Sequence, residues 1–248
     1  MRGTLRITAA ITLLPLIWLA SAKAQVAGAG FGQRSVEDAN IGVGIEQVGV
    51  LIYPAKMLES GIDSGEVRIS ISVDKEGVLQ DCLITAYTAR EFADVALAAI
   101  KRWRYRPAKA GGSPTASRSD LAFEFRNDGV VVQAMHSAQL RRAYFSSLNE
   151  RYEYKPCRLR DLDHIPTPVH VVSPAVNSAE KMHTVTVEFY IDEEGNVRMP
   201  AVPRESAGDV YAAAAVAAVE QWRFKPPLRK GEPVLVLAQQ EFNFRPKE

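Results

Sequence analysis

Two stretches of the chain alternate apolar and polar residues with a period of two, which is typical of strands with one buried face. Each stretch ends at an Asp that is followed three residues later by a Gly, Asp74 to Gly77 and Asp192 to Gly195. Because Gly accepts the positive φ of a tight reversal, both patterns predict a hairpin. The apolar positions of the two strands are Val67, Ile69, Ile71 and Val73, and Val185, Val187, Phe189 and Ile191.

An amphipathic helix is predicted after each hairpin. Its start resembles a capping box, with Thr88 three residues before Glu91 in the first copy and Ser206 before Asp209 in the second. Each helix carries an aromatic residue 11 positions before a Trp on the same face, and these four residues are predicted to be core. They are Phe92 and Trp103 in the first copy and Tyr211 and Trp222 in the second.

Matched spacings show that the chain contains an internal duplication. Trp103 to Pro107 and Trp222 to Pro226 both span 4 positions, and Pro107 to Arg126 and Pro226 to Arg245 both span 19. A repeat with fixed spacing is stronger evidence for the architecture than any single residue. A closing strand follows each Pro, with its apolar face formed by Leu121, Phe123 and Phe125, and by Phe242 and Phe244.

The order of elements predicts an α+β fold of two tandem domains. Each is expected to have a three-stranded antiparallel sheet packed against one main helix, with a short first helix opened by Tyr53-Pro54 or Ser173-Pro174. Proline lacks a ladder donor, so Pro200 and Pro203 predict that the second strand of the second copy is short, bulged or at an edge.

The predicted domains are residues 50–127 (the first unit) and 166–248 (the second unit). A Gly-rich flexible leader is expected over 25–49. A partly helical linker is expected over 128–165, with its helix near 138–152.

The first 24 residues predict a cleaved secretory signal peptide. Arg2 and Arg6 precede an apolar run of 14 residues over 7–20, and Ala22-Lys23-Ala24 supplies a small-x-small cleavage pattern. The alternative is an uncleaved inner-membrane anchor, although a spanning helix needs roughly 20 residues. Cleavage after Ala24 would leave 27 basic against 29 acidic residues, a net charge of −2. That balance gives no reason to expect nucleic acid as a partner.

Both cysteines, Cys82 and Cys157, would enter an oxidising compartment with the exported chain. One alternative is a disulfide that pins the linker to the first unit. The other is a buried, reduced Cys82 with an unrelated Cys157.

The ordered motifs resemble the C-terminal domain of the TonB energy-transducer family. The first copy has Tyr53-Pro54, Asp74-x-x-Gly77 and Trp103-Arg-Tyr-Arg-Pro107; the second has Pro174, Asp192, Gly195 and Trp222-Arg-Phe-Lys-Pro226. The resemblance implies a periplasmic domain of Gram-negative bacteria that binds an extended segment of an outer-membrane receptor by strand addition. This chain lacks the family's Pro-rich spacer, and Ser173 stands where the family has Tyr.

The leading hypothesis is a non-enzymatic periplasmic protein-binding module linked to TonB-dependent transport. Strand addition is expected at the closing strands, because an edge strand exposes unpaired N–H and C=O groups. The alternative is a structural protein whose sheet edges pair within the chain or in a homodimer. The candidate peptide contacts are Tyr53, Leu121, Phe123, Phe125, Phe242 and Phe244.

The sequence predicts no catalytic residues, metal or cofactor. The densest polar group is His164 with Asp161 and Asp163, followed by His170, but its spacing matches no zinc motif. It is interpreted as polar linker. Asp74 and Asp192 are interpreted as turn residues rather than calcium ligands.

Overall fold

The protein has an α+β architecture with several antiparallel sheets. The computed structural model describes residues 25–26, 41–135, 147–176, 182–202 and 209–245. No helix within these ranges has the length and apolar character needed to cross a membrane. The predicted signal peptide, residues 1–24, lies outside them.

The first unit is built on a five-stranded sheet rather than the predicted three-stranded one. The strand order is β1-β9-β8-β3-β4, and only the β1–β9 pair is parallel. Its elements are β1 (Gln25–Val26), β2 (Gly44–Gln47), α1 (Ala55–Glu59), β3 (Ser64–Val73), β4 (Leu79–Tyr87), α2 (Arg90–Ile100), β5 (Arg104–Arg106), β6 (Ala108–Ala110), β7 (Ser113–Thr115), β8 (Ser117–Arg126) and β9 (Gly129–Met135).

The extra strand β9 comes from the segment that was predicted to be linker. It forms a hairpin with β8 from Arg126 opposite Gly129 to Asp120 opposite Met135. Val130 and Val132 alternate into the core, which explains why this stretch joins the sheet. Only residue 147 of the described part of the predicted helix 138–152 is helical, and residues 136–146 lie outside the described ranges.

The predicted flexible leader also contributes to the fold. Its end, Gly44–Gln47, pairs with β5, and Val43 is buried in the core of the first unit. Residues 43–47 of the predicted flexible leader therefore pair and pack with the first unit.

The second unit has a three-stranded antiparallel sheet of order β12-β11-β16. Pro200 lies in the edge strand β12, which has five residues and a register irregularity against β11, as expected for a strand that contains proline. Its elements are a 3-10 helix (Leu159–Asp161), β10 (Pro168–His170), β11 (His183–Ile191), β12 (Val197–Ala201), α3 (Val210–Val219), β13 (Arg223–Phe224), β14 (Leu228–Arg229), β15 (Glu232–Pro233) and β16 (Val236–Phe244).

The hairpin turns of the two units match each other. Gly77 and Gly195 have φ values of +85° and +86°. A Cβ on Gly195 would lie 2.1 Å from the carbonyl oxygen of Phe224, so the turn requires glycine for space as well as for φ. Asp74 accepts backbone hydrogen bonds from Glu76 and Val78 in its turn, and Asp192 does the same in the other copy.

The predicted capping box of α2 does not form. The helix begins after Ala89, and Thr88 Oγ1 instead accepts a hydrogen bond from the backbone N–H of Glu66 at 2.9 Å. Thr88 therefore links the start of the helix to β3 by this hydrogen bond. In the second unit Asp209 itself caps α3 by accepting from the N–H of Tyr211.

Each unit has its own apolar core between sheet and main helix. In the first, Phe92 lies 5.0 Å from Phe125 and Trp103 lies 5.8 Å from Phe123, measured between ring centroids. In the second, Trp222 packs against Phe189, and its Nε1 donates to the carbonyl oxygen of Val172 at 2.8 Å. The predicted core residues Phe92, Trp103 and Trp222 are buried, whereas Tyr211 is partly buried.

A third apolar cluster joins the units. Tyr190, Met199 and Leu235 are buried there, with Leu83 of the first unit packed against them. Leu83 lies on β4, whereas Tyr190 and Met199 lie on β11 and β12. Within the described residues, no strand of one unit pairs with a strand of the other, so the units do not join edge to edge.

Charged groups surround this third cluster. The Arg198 guanidinium of the second unit contacts Asp81 of the first through Nη2 to Oδ1 at 2.6 Å and Nε to Oδ2 at 3.1 Å. Arg118 of β8 donates from Nη1 to the carbonyl oxygen of Met199 at 2.8 Å. The two-point contact between Arg198 and Asp81 fixes the relative orientation of the two side chains as well as their distance.

Both cysteines are free thiols in the structure, so the disulfide alternative is not formed. Cys82 lies on β4 opposite Ile71, whereas the backbone N–H of Cys157 donates to Leu235 of the second unit. Each cysteine is thus tied to a different unit. Burial raises the pKa of both thiols, which favours their protonated form near neutral pH.

Candidate binding edge

Strand β16 forms an open edge of the second unit. It pairs with β11 along its whole length, from His183 opposite Phe244 to Ile191 opposite Val236. On its other side, within the described parts of the chain, the only strand-like contact is a bridge between Cys157 and Val236. No strand in the described ranges pairs with the backbone groups from Leu237 to Phe244 on that side, so this edge can accept an added strand.

The equivalent strand of the first unit is not open. β8 lies between β3 and β9, so both of its edges are paired. The strand addition that the sequence predicts at the closing strand of the first unit therefore finds no free edge there. Leu121, Phe123 and Phe125 are buried core residues, at most 1% exposed.

The two closing strands correspond residue by residue, with an offset of 119 positions from Phe123 to Phe242 and from Phe125 to Phe244. Their pairing with the neighbouring strand is also equivalent, since Phe123 lies opposite Val67 and Phe242 lies opposite Val185.

Phe242 and Phe244 are only partly buried, although their equivalents in β8 are fully buried. Phe242 packs on Trp222 at 5.7 Å and Phe244 on Tyr211 at 5.1 Å, measured between ring centroids. In the first unit, β9 supplies Val130 and Val132 opposite the corresponding rings. Within the described residues, the second unit thus keeps the two aromatic side chains without a strand that covers them.

The sequence of the chain matches the family model for the Gram-negative bacterial TonB protein C-terminal at residues 50–126 and 177–246, which is more than half of the chain. The chain belongs to this TonB family. The resemblance seen in the motifs, including the two tandem copies, is thereby confirmed. Searches of curated proteins and of solved structures gave no match.

Strand β9 lies just beyond the first TonB segment, which ends at residue 126, whereas all of β16 lies within the second. The strand that closes the edge of the first TonB domain is therefore an addition to the matched region. Sequence reasoning missed it because Gly129–Met135 follows the last repeated motif. The available signal was the alternation of Val130 and Val132 after Asn127-Asp128-Gly129, a typical turn sequence.

Tyr53, the remaining contact candidate of the TonB motif, has a structural role in this protein. Its hydroxyl donates to the carbonyl oxygen of Ile62 at 2.8 Å, and its ring meets the edge of Phe92 at 5.3 Å. Burial, followed by the Asp63 carboxylate, raises the pKa of its hydroxyl. Ser173 at the corresponding place of the second domain cannot make this aromatic contact.

The face of β16 opposite its core side is polar. Asn243, Glu241 and Gln239 lie there, opposite Thr184, Thr186 and Glu188 of β11. Thr184 donates to Asn243 Oδ1 at 2.8 Å, and Asn243 donates to Glu241 Oε1 at 3.2 Å. The open edge thus has one aromatic face and one polar face, which is the pattern that an amphipathic strand fits.

Among the described residues, no group of three or more His, Cys, Asp or Glu side chains lies close enough together to hold a metal ion. Asp163 has a local role, because it accepts the backbone N–H groups of Lys230 and Gly231 at 2.8 Å each. These two hydrogen bonds lower the pKa of Asp163. The carboxylate therefore stabilises the turn between β14 and β15.

Proposed function

We propose that this TonB-family protein is a non-enzymatic module of the periplasm that binds an extended segment of another envelope protein. The binding site is the open edge of β16 in the second domain. The observation that carries the proposal is the contrast between the domains: β9 covers the edge of β8, whereas Phe242 and Phe244 at the equivalent edge of β16 are only partly buried.

An added strand would have two effects at this edge. It would pair the outward N–H and C=O groups of β16, and it would cover the exposed parts of the two aromatic rings. In strand addition, main-chain hydrogen bonds supply the affinity and side-chain contacts supply the selectivity.

The family and the predicted signal peptide support the periplasmic assignment, with an outer-membrane receptor as the partner class. Binding in the course of TonB-dependent transport is part of this proposal. The first domain would act as the fixed base of the second rather than as a second binding site, since both edges of its closing strand are already paired.

The direct experiment is a titration of the protein with extended peptides from outer-membrane receptors, followed by backbone amide shifts. Shifts concentrated over residues 237–244, with β8 unaffected, are the expected result. Shifts that avoid β16, or a dimer in solution with β16 amides protected in the free protein, would contradict the proposal.

Proline substitution on β16 separates binding from folding. In an antiparallel ladder the N–H groups alternate in direction, so only one of Gln239 and Gln240 points its N–H toward β11. We expect one of Gln239→Pro and Gln240→Pro to destabilise the sheet. The other should remain folded and lose peptide affinity about tenfold, because one hydrogen bond of about 1 kcal/mol and the space for the partner backbone are lost.

The two proline variants serve as matched controls for each other. Circular dichroism and thermal melting identify the variant that stays folded, and fluorescence anisotropy measures its affinity for the peptide. Wild-type affinity in the folded variant would show that the peptide does not pair with this part of β16.

A further inference from the structure

We infer that the first domain carries a basic surface that docks the protein on an anionic phospholipid bilayer. The surface is the outer face of a two-stranded ribbon, in which residues 41–47 pair with residues 104–109, together with the end of α2. We call this surface the basic ribbon. The inference is independent of strand addition at β16, because it concerns a different face of a different domain.

The cations of the basic ribbon are concentrated in a short segment of the chain. They are Lys101, Arg102, Arg104, Arg106 and Lys109. No acidic residue occurs between Asp94 and Asp120 in the sequence. Lys109 is partly exposed and the other four cations are exposed. Within the described ranges none of the five forms an ion pair, so their mutual repulsion favours contact with an anionic surface.

Strand pairing directs two of the arginines outward. Tyr105 of β5 is buried, so Arg104 and Arg106 on either side of it lie on the exposed face. Gly44 lies opposite Arg106, and a Cβ at Gly44 would be 2.7 Å from Nη2 of the guanidinium. The absence of a side chain at Gly44 therefore leaves room for the guanidinium on the outer face of the ribbon.

The neighbouring acids do not neutralise the basic ribbon. Glu46 lies on the strand opposite the arginines. The β3–β4 turn approaches the carbonyl oxygen of Tyr105 and brings Asp74 and Glu76, but Glu76 is paired with Lys75 at 3.6 Å. The five cations and Lys75 against these three acids leave a net charge of +3 in this region.

Exposed aliphatic residues adjoin the cations. Ile41 is 41% exposed and pairs with Lys109 through two backbone hydrogen bonds. Val50 is 76% exposed and follows Gly49, whose Cβ position lies 3.4 Å from the side chain of Trp103. Because Trp103 stands between two of the arginines in the sequence, Val50 belongs to the same part of the surface.

The combination of cations and exposed aliphatic residues selects a bilayer as the partner. Long basic side chains reach lipid phosphates, while neighbouring aliphatic side chains enter the interface. An acidic protein segment would pair with the charges but would make no use of the aliphatic residues. Docking through the basic ribbon would hold the first domain at the bilayer and leave the β16 edge of the second domain to its own partner.

The second domain shows that the fold does not require these charges. Three of the five cations have no basic equivalent at the offset of 119 positions. In their places stand Glu220, Gln221 and Leu228. The other two equivalents are Arg223 and Lys225, and Arg223 donates to the carbonyl oxygen of Trp222 at 2.7 Å. The second domain therefore supplies a matched control for variants of the first.

The experiment measures cosedimentation of the exported protein with vesicles of phosphatidylcholine and phosphatidylglycerol, with pure phosphatidylcholine as the neutral reference. We expect Arg104→Gln combined with Arg106→Gln to weaken binding to the anionic vesicles about 20-fold, because each cation near such a surface contributes a factor of about five. The control pair, Arg223→Gln with Lys225→Gln, should change binding by less than about twofold. High salt should weaken wild-type binding.

Two further variants separate docking from folding. Lys101→Gln combined with Arg102→Gln removes two charges at the end of α2 and should also weaken binding about 20-fold. Val50→Ser keeps every charge and should weaken binding about threefold at low and at high salt. Circular dichroism and thermal melting confirm that each variant is folded.

Paramagnetic broadening locates the contact. Vesicles with nitroxide-labelled lipid should broaden the amide signals of residues 41–50 and 101–109 and leave those of residues 237–244 unchanged.

Equal binding to neutral and anionic vesicles, equal losses in the variants of the two domains, or broadening centred on the second domain would overturn the inference. A capped Glu-rich peptide that shifts the amides of the basic ribbon, when the vesicles do not bind there, would assign the surface to an acidic protein and would overturn it as well. None of these outcomes affects strand addition, which the peptide titration of β16 tests separately.

Discussion

Trp222→Ala is expected to unfold the second domain while the first keeps its core. The Trp222 ring is the centre of an aromatic group, with Phe189 at 6.2 Å, Phe224 at 6.3 Å and Phe242 at 5.7 Å between centroids. Its truncation should cost about 3–5 kcal/mol, as buried aromatic-to-alanine changes do. This is a large part of the roughly 5–15 kcal/mol that stabilises a typical domain.

Amide hydrogen exchange can follow the two domains separately. In Trp222→Ala, protection should be lost over β11 and β16 and retained over β3 and β8, because the two cores are separate clusters. Trp103→Ala should give the reverse pattern, and Trp222→Phe should keep most of the protection. Simultaneous loss of protection in both domains would show that they fold as one cooperative unit.

Arg118→Ala is expected to loosen the contact between the domains. Arg118 and Glu188 are both buried, with Nη2 and Oε2 3.7 Å apart, and the Arg118 guanidinium lies 5.5 Å from the centroid of the Tyr190 ring. Removing one member of a buried charge pair costs about 3–5 kcal/mol, and the long distance favours the lower end. The loss should appear in the equilibrium unfolding of the whole protein.

The consequence of Arg118→Ala should be visible at Met199. This residue has a positive φ of +53°, and its carbonyl oxygen accepts the Arg118 hydrogen bond. Without that bond, exchange of the β12 amides should rise. Arg118→Lys keeps the charge but loses the planar group, so it should recover only part of the stability. Unchanged stability and unchanged β12 exchange in Arg118→Ala would contradict this role.

The repeat allowed much of each domain to be predicted from sequence. The strands at Val67 and Val185, the turns at Gly77 and Gly195 and the helices before Trp103 and Trp222 follow from local pattern, because backbone conformation and burial there depend on nearby residues. The prediction that the strand of Pro200 is short, bulged or at an edge followed from chemistry alone, since proline lacks a ladder donor.

The candidate site was only half predicted, for a physical reason. Phe242 and Phe244 were identified, but the sequence could not show which closing strand was free, because that depends on whether another segment adds to it. β9 follows β8 through a short turn, but it lies beyond the last repeated motif, so comparison of the two copies did not reveal it. The contacts between domains are non-local, since Arg198 and Asp81 are 117 residues apart.

The closing strand is covered in the first domain and open in the second, as far as the described residues show. Amide hydrogen exchange in the free protein tests it most directly. We expect the N–H groups of β8 to be protected throughout, whereas alternate N–H groups of β16 between Leu237 and Phe244 should exchange rapidly. Equal, continuous protection of β16 and β8 would contradict the account, because it would mean that the edge of β16 is already occupied.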